Sequence, residues 1–410
     1  MKTTRQIVTE LSDDGRGKTL STSLKSKELR DLQPGEVLVK NLFVPIHGSF
    51  WLASNPNNIH PRKHEFLQDG NFIFGNGGVA QVVDSNENPR EVKPGDYVAV
   101  FGHMPCDNHN CYGCRVLHRY TECDYGESRI IGHGKDSPDG TYAEYTILPR
   151  YTYEVCYREY ENPSENDLRP YMFAFLFADV RNALTRHPDA TRSRRMFLVG
   201  AGISSRIAAY LFLRSSPESN IFAVDPSHER LKGLQGLQGL SENKVYGYRL
   251  PEGFVQQLNS DEPTYGFRKE LQASIRDIAE SCDNFFRHKK ITLLFDGSSG
   301  NSAPIWDNNK ILGPATIAIP FGFGSEYILL TKELVQTSGL QLVMSRGVGN
   351  IRNRKEVIEL IRSGASDFLV NYLVPECQEL VGLDEALAFI KTVHQDSSRK
   401  CSPPHAYIRF

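Results

Sequence analysis

Apolar residues fall into two regimes along this chain. In the first third they come in short segments rich in Val, Tyr, Phe and Thr, at Glu36–Asn41, Gly78–Asp84, Tyr97–Phe101 and Thr141–Leu148, punctuated by Gly, Pro and Asn. That pattern predicts β-strands, and Pro94-Gly95-Asp96 ahead of Tyr97 is a turn that delivers one of them. From Arg195 onward, continuous apolar runs alternate with stretches of helical spacing: Met196–Val199 then Ser204–Leu213, Asn220–Val224 then Ser227–Leu234, followed by Ile291–Phe295, Ala315–Pro320 and Gln341–Met344. Wholly apolar strands separated by helices predict a parallel sheet covered on both faces. The charged stretch from Phe267 to Glu280 has helical spacing and predicts an added surface helix. Beyond Arg346 the pattern predicts a helix at Arg354–Ser363, a strand at Phe368–Asn371, a helix at Leu383–Val393 and a last strand at His405–Phe410 that returns to the first domain. The fold class is therefore α/β: a β-rich domain made of residues 1–180 and 346–410, and a doubly wound parallel-sheet domain at 181–345.

Composition narrows the function. The chain has 410 residues, with 47 Lys and Arg against 49 Asp and Glu for a net charge of −2. Such a balance supplies no field to hold nucleic acid or anionic lipid, so a small-molecule substrate is expected, with no nucleic-acid or membrane partner. No run reaches the ~18 apolar residues that span a bilayer. The opening Met1-Lys2-Thr3-Thr4-Arg5-Gln6 lacks the apolar core of a signal peptide, and a cytoplasmic location is expected.

The distribution of cysteines changes the picture more. Four of the eight, Cys106, Cys111, Cys114 and Cys123, lie close together and the rest are scattered. In a reducing compartment clustered thiols are more often metal ligands than disulfides, and the two-residue spacer of Cys111-Tyr112-Gly113-Cys114 lets two thiolates reach one tetrahedral ion. A zinc ion is the expected occupant.

A second motif follows the first apolar strand of the middle third. Phe197-Leu198-Val199-Gly200-Ala201-Gly202-Ile203-Ser204-Ser205 reads strand, then Gly-x-Gly-x-x-Ser, then helix. Gly200 permits the tight turn, Gly202 lets backbone approach a pyrophosphate, and the Ile203, Ser204 and Ser205 amides open a helix whose positive end favours that anion. Ser205 replaces a third glycine whose task is close helix packing. The next strand ends in Asp225, whose carboxylate can accept two ribose hydroxyls and repels a 2′-phosphate. NAD is expected in preference to NADP; Arg230 and His228 are the residues that would temper that preference.

Together with the phrase Asp139-Gly140-Thr141-Tyr142-Ala143-Glu144-Tyr145, these features resemble the zinc-containing medium-chain dehydrogenase/reductase superfamily over about Gly35 to Phe410. The resemblance implies a GroES-like catalytic domain, a Rossmann domain, an NAD-dependent oxidoreductase and a homodimer or homotetramer. It assigns Cys106, Cys111, Cys114 and Cys123 to a structural zinc lobe, although the first and last spacers are longer than usual, and His109 is geometrically able to replace Cys106 or Cys111. In Val44-Pro45-Ile46-His47-Gly48-Ser49, His47 stands where the family has a ligand cysteine and Ser49 stands at its proton-relay position. Gly75-Asn76-Gly77-Gly78 replaces a Gly-His-Glu motif, and Asp179 matches the third ligand position. An Asn amide, a His and an Asp make a poor zinc set. One structural zinc and no catalytic zinc are therefore expected.

In that case Ser49 donates to the substrate oxygen, His47 exchanges the proton, and Asp179 orients His47. Phe50, Trp51 and Leu52, with residues near His103 and Met104, would bound the substrate pocket. The leading reading is interconversion of a secondary alcohol and a carbonyl of a metabolite or sugar. Reduction of an activated C=C or C=N bond is the first alternative, and a catalytically decayed dinucleotide-binding protein is the second.

Overall fold

The computed structural model describes residues 2–13, 18–46, 71–87, 92–120, 123–125, 129–132, 138–215, 218–240, 244–251, 254, 265–298, 305, 311–321, 340–343, 349–395 and 405–410. In chain order the strands are β1 (Thr3–Asp13), β2 (Lys18–Glu28), β3 (Val37–Ile46), β4 (Asn71–Phe72), β5 (Gly78–Ser85), β6 (Tyr97–Val100), β7 (His103–Met104), β8 (Arg129–Ile130), β9 (Tyr145–Leu148) and β10 (Tyr153–Tyr157). They continue with β11 (Arg195–Val199), β12 (Asn220–Asp225), β13 (Lys244–Arg249), β14 (Ile291–Asp296), β15 (Leu312–Pro320), β16 (Gln341–Leu342), β17 (Gln378–Val381) and β18 (Ala406–Arg409). The longer helices are α1 (Ala174–Thr185), α2 (Ile203–Ser215), α3 (His228–Gln235), α4 (Tyr265–Phe285), α5 (Ile351–Leu360) and α6 (Gly382–Gln395). The chain forms two compact units, Met1–Ala178 with Gly347–Phe410, and Asp179–Arg346.

The first unit is built on a seven-stranded sheet of order β10-β6-β5-β3-β18-β17, with β9 pairing β3 as well. Val37, Val39, Val44, Val79, Ala80, Val98 and Val100 are all fully buried, and burying each Val-sized side chain contributes about 1.5–3 kcal/mol. A second sheet of order β2-β1-β4 opens the chain, with Thr3 opposite Glu28 and Asp13 opposite Lys18.

The second unit holds a six-stranded, wholly parallel sheet of order β13-β12-β11-β14-β15-β16. Strand order reverses between β11 and β14. In doubly wound sheets ligands bind in the crevice at the carboxyl ends of the strands beside such a switch point. Met196, Phe197, Leu198, Ile221, Phe222, Ala223, Leu293, Leu294 and Phe295 are fully buried, as continuous apolar strands covered on both faces must be.

Two expectations need correction, and one element was not foreseen. The segment Phe368–Asn371 is helical, not a strand: Ile361, Ala365, Phe368, Leu369 and Leu373 are the buried positions from 361 to 373, spaced three and four apart along successive short helical segments. The strand of this region is β17 instead. Within the expected strand Thr141–Leu148 only Tyr145–Leu148 is ladder, because Thr141 and Tyr142 give their amides to the carbonyls of Gly75 and Phe74. The long hairpin of β1 and β2 was not indicated by the apolar pattern at all.

Candidate functional site: a four-thiol lobe and a dinucleotide-type turn

In the first unit the thiols converge. The Sγ atoms of Cys106, Cys111, Cys114 and Cys123 all lie within 4.8 Å of one another, and those of Cys111 and Cys123 are 3.8 Å apart. Four sulfurs at about 2.3 Å from a tetrahedral zinc sit roughly 3.8 Å from each other, so the donor set fits that ion. Cys106, Cys111 and Cys114 are buried and Cys123 is half-buried. His109 is exposed, and the cluster among the described residues consists of the four cysteines alone.

Local chemistry explains how the longer first spacer closes. Asn108 accepts the Asn110 amide on its side chain at 2.9 Å and the Cys111 amide on its carbonyl at 3.3 Å. Arg115 donates to the carbonyls of Cys106 at 2.5 Å and Asn108 at 3.3 Å, pinning the loop from its far side. Cys111 stands at the head of the short helical segment Tyr112–Val116 and its sulfur accepts the Cys114 amide at 3.4 Å, while Asp124 accepts the amides of Tyr112 and Gly113. Burial pushes the thiols of Cys106 and Cys114 up, so zinc uptake displaces protons.

In the second unit the glycine turn lies at the carboxyl end of β11, at the switch point. Gly200 has φ +83°, which only glycine adopts without strain. Among the described residues a side chain added at Gly202 would meet nothing within 4 Å, so they leave open space beside this amide at the start of α2. The residues therefore fit a dinucleotide phosphate at this turn. Ser205 is fully buried and occupies the packing position expected of a third glycine. The room comes from a glycine on the neighbouring strand end: a Cβ at Gly297 would sit 2.3 Å from the Ser205 Oγ. Gly297→Ala is thus expected to cost about 1–3 kcal/mol through overpacking, and Ser205→Gly in the same chain is expected to restore most of it. Thermal unfolding of the two single variants and the double variant checks this; equal losses in the presence and absence of Ser205 would show that the two residues do not collide.

Asp225 ends β12 as expected, but its carboxylate is buried and already engaged. Oδ2 accepts the Ala201 amide at 2.7 Å and Oδ1 accepts the Ser227 amide at 2.7 Å, leaving one further lone pair on each oxygen. Arg230 lies in the first turn of α3, its amide held by the Ser227 hydroxyl that caps the helix, and His228 starts the same helix. Sequence reasoning passed over two neighbours. Arg206 is buried in α2 and donates to the carbonyls of Ala201 at 3.0 Å and Arg230 at 2.8 Å. Asp296, at the carboxyl end of β14, accepts the amide and hydroxyl of Ser298. The signal for Asp296 was present, as an acid closing an apolar strand ahead of Gly297-Ser298-Ser299-Gly300.

Of the expected catalytic residues, His47 and Ser49 lie outside the described residues, as do Phe50, Trp51 and Leu52; β3 ends at Ile46, immediately before them. Asn76 is buried in the first unit. His103 is buried with its ring stacked 5.7 Å from Phe175, and Met104 packs against a core of valines. Asp179 lies in α1, the helix in which the chain passes from the first unit to the second, and burial pushes its carboxyl up to about 7. Ionising this acid costs more in the folded than in the unfolded state, so stability is full below about pH 4 and falls as pH rises towards 7. Asp179→Asn is therefore expected to match wild type in melting temperature at pH 4 and to exceed it by several degrees at pH 8. Melting curves at the two pH values check this, and no difference at pH 8 would mean that the carboxyl is well solvated.

The first unit is thus β-rich with a four-thiol lobe, and the second is doubly wound with a glycine turn at its switch point. Comparisons with known proteins show where this arrangement recurs. Residues 33–156 match the alcohol dehydrogenase GroES-like domain. Similar solved structures include the alcohol dehydrogenase of Thermotoga maritima, 14% identical with a TM-score of 0.72 and 100% of both chains covered. Galactitol-1-phosphate dehydrogenase of Escherichia coli is 15% identical with a TM-score of 0.69, covering 99% of this chain and 100% of the other. A short chain alcohol dehydrogenase of Escherichia coli, complexed with the cofactor NADH, is 17% identical with a TM-score of 0.68 and full coverage of both chains. No curated protein sequence matches the chain. Residues 33–156 are thus an alcohol dehydrogenase GroES-like domain, and the whole chain has the fold of medium-chain dehydrogenase/reductases. Among the described residues no helix is long and apolar enough to cross a membrane.

Proposed function

We propose that the protein is an NAD-dependent oxidoreductase that interconverts a secondary alcohol and a carbonyl of a metabolite or sugar. The observation that carries this reading is the open Gly200-Ala201-Gly202 turn at the switch point, with Asp225 closing the adjoining strand. A bound NAD supplies the hydride acceptor. The amides that begin α2 would hold its pyrophosphate, and the free lone pairs of Asp225 would take ribose hydroxyls and disfavour a 2′-phosphate. Zinc in the four-thiol lobe is structural in this reading: the site is closed by four protein ligands and leaves no position for substrate.

The proton chemistry falls to side chains. Ser49 donates to the substrate oxygen and His47, near neutral in its ordinary pKa, takes or returns the proton. Asp179, whose carboxyl is pushed up to about 7, is suited to orient and charge-balance that imidazole. Alcohol and sugar-alcohol dehydrogenases among the proteins of this fold support the substrate class. The protein would work as a cytoplasmic homodimer or homotetramer.

The buried Asn76, in place of an imidazole ligand, favours a second reading, reduction of an activated C=C or C=N bond, which needs no metal-bound alkoxide. Titration of the purified protein with NADH and NADPH, followed by a panel of secondary alcohols, polyols, enones and imines monitored by nicotinamide absorbance, tests both. Turnover of alcohols supports the first reading and turnover confined to enones or imines supports the second. NADH binding with no turnover of either class would leave a dinucleotide-binding protein without this chemistry.

A further inference from the structure

Arg206 sits where a cation has two reasons not to be. It is 1% exposed, and burying a guanidinium costs several kcal/mol unless its donors are satisfied. It also lies in the first turn of α2, where a positive charge opposes the helix macrodipole and where that turn itself holds no acidic residue. An apolar residue would continue the buried face formed by Ile207, Ala208, Tyr210 and Phe212.

What the guanidinium does instead is specific. Its Nε donates to the Ala201 carbonyl and its Nη2 to the Arg230 carbonyl, while the Ala201 amide donates to Asp225. Both backbone polar groups of the middle residue of the glycine turn are therefore held by side chains of opposite charge. The same arginine ties that turn to the first turn of α3, linking the loop after β11 to the loop after β12. Held at both its amide and its carbonyl, Ala201 fixes the turn that leads into Gly202 and the first amides of α2, which are the groups that would receive a pyrophosphate.

We propose that Arg206 is a positioning residue for the dinucleotide pyrophosphate, acting through Ala201 with Asp225 as its counterpart. This rests on the dinucleotide reading above. The test is calorimetric titration of the purified full chain with NADH and ADP-ribose, with adenosine measured by competition, in wild type, Arg206→Met and Arg206→Lys. Arg206→Met is expected to weaken NADH and ADP-ribose by the same factor, about tenfold or more, and to leave adenosine unchanged, because adenosine lacks the pyrophosphate. Arg206→Lys keeps the charge but not both carbonyl bonds, and is expected to recover most of the affinity, about threefold short of wild type. A general loosening of the fold would weaken all three ligands together and overturns the assignment. So does wild-type NADH affinity in Arg206→Met or, should that variant not fold, in Arg206→Lys. A wild-type protein that binds neither NADH nor NADPH is a separate result, which removes the dinucleotide reading itself.

Discussion

Cys114→Ser is expected to take the zinc content of the purified protein from about one ion per chain to near none, and to unfold the lobe around Cys106, Cys111 and Cys123. The lobe has little else to hold it. Its buried cluster consists of three cysteines and Tyr120, with Cys123 and Tyr151 packed at the edge. In small structural sites zinc binding contributes on the order of 10 kcal/mol, and that energy is folding energy. Serine is a poor ligand for a borderline-soft ion and leaves three thiols too few to close the tetrahedron. Metal analysis and limited proteolysis near residues 106–123 read the outcome. NADH titration serves as the control, because the second unit has its own buried core of Phe197, Phe222, Leu294 and their neighbours and needs no metal to form. Wild-type protein that contains no zinc after purification from metal-replete medium would remove the structural-zinc assignment.

The second large effect is on turnover. His47→Ala is expected to lower the rate with the substrate identified by the panel by about 10²–10⁴-fold, the usual contribution of a general acid or base, with NADH affinity unchanged. Ser49→Ala should act in the same direction, and the double variant should lose little more than the worse single variant if the two residues share one proton path. His47 follows Ile46, the last residue of β3, in sequence and lies outside the described residues. Unchanged turnover in His47→Ala would end this assignment.

How much of this was legible depended on what kind of burial each segment undergoes. The strands β11, β12, β14 and β15 read clearly because a parallel sheet covered on both faces demands continuous apolar runs, and few other structures produce them. The hairpin of β1 and β2 was missed for the opposite reason. The positions of β2 from Ser21 to Glu28 are exposed or half-buried and rich in Lys, Ser and Thr, so its pairing is set by backbone hydrogen bonds that leave little trace in composition. Phe368-Leu369-Val370 misled because a run of three apolar residues fits either period; only the longer spacing back to Ile361 separates helix from strand.

At the sites, the thiol cluster and glycine turn were readable because metal ligation and tight turns restrict residue type. Arg206 was not, since an arginine in an amphipathic helix ordinarily points to water. Asp225 was found in its place but for only part of its work: its two backbone partners are set by the tertiary arrangement of loops after β11 and β12.

The position of β18 has a consequence for how the chain is made. Ala406–Arg409 lies inside its sheet, between β3 and β17, so the first unit is completed only by residues that follow the whole of the second in the chain. Until they are made, the Phe43–Ile46 half of β3 lacks the neighbour that β9 supplies to Val37–Lys40, and open edges invite pairing with other chains. The inserted unit, by contrast, has all six of its strands translated before residue 346 and can fold during synthesis. The inserted unit is therefore complete while its host still lacks a strand. In that interval the exposed half-edge of β3 is the part of a nascent chain most open to mispairing.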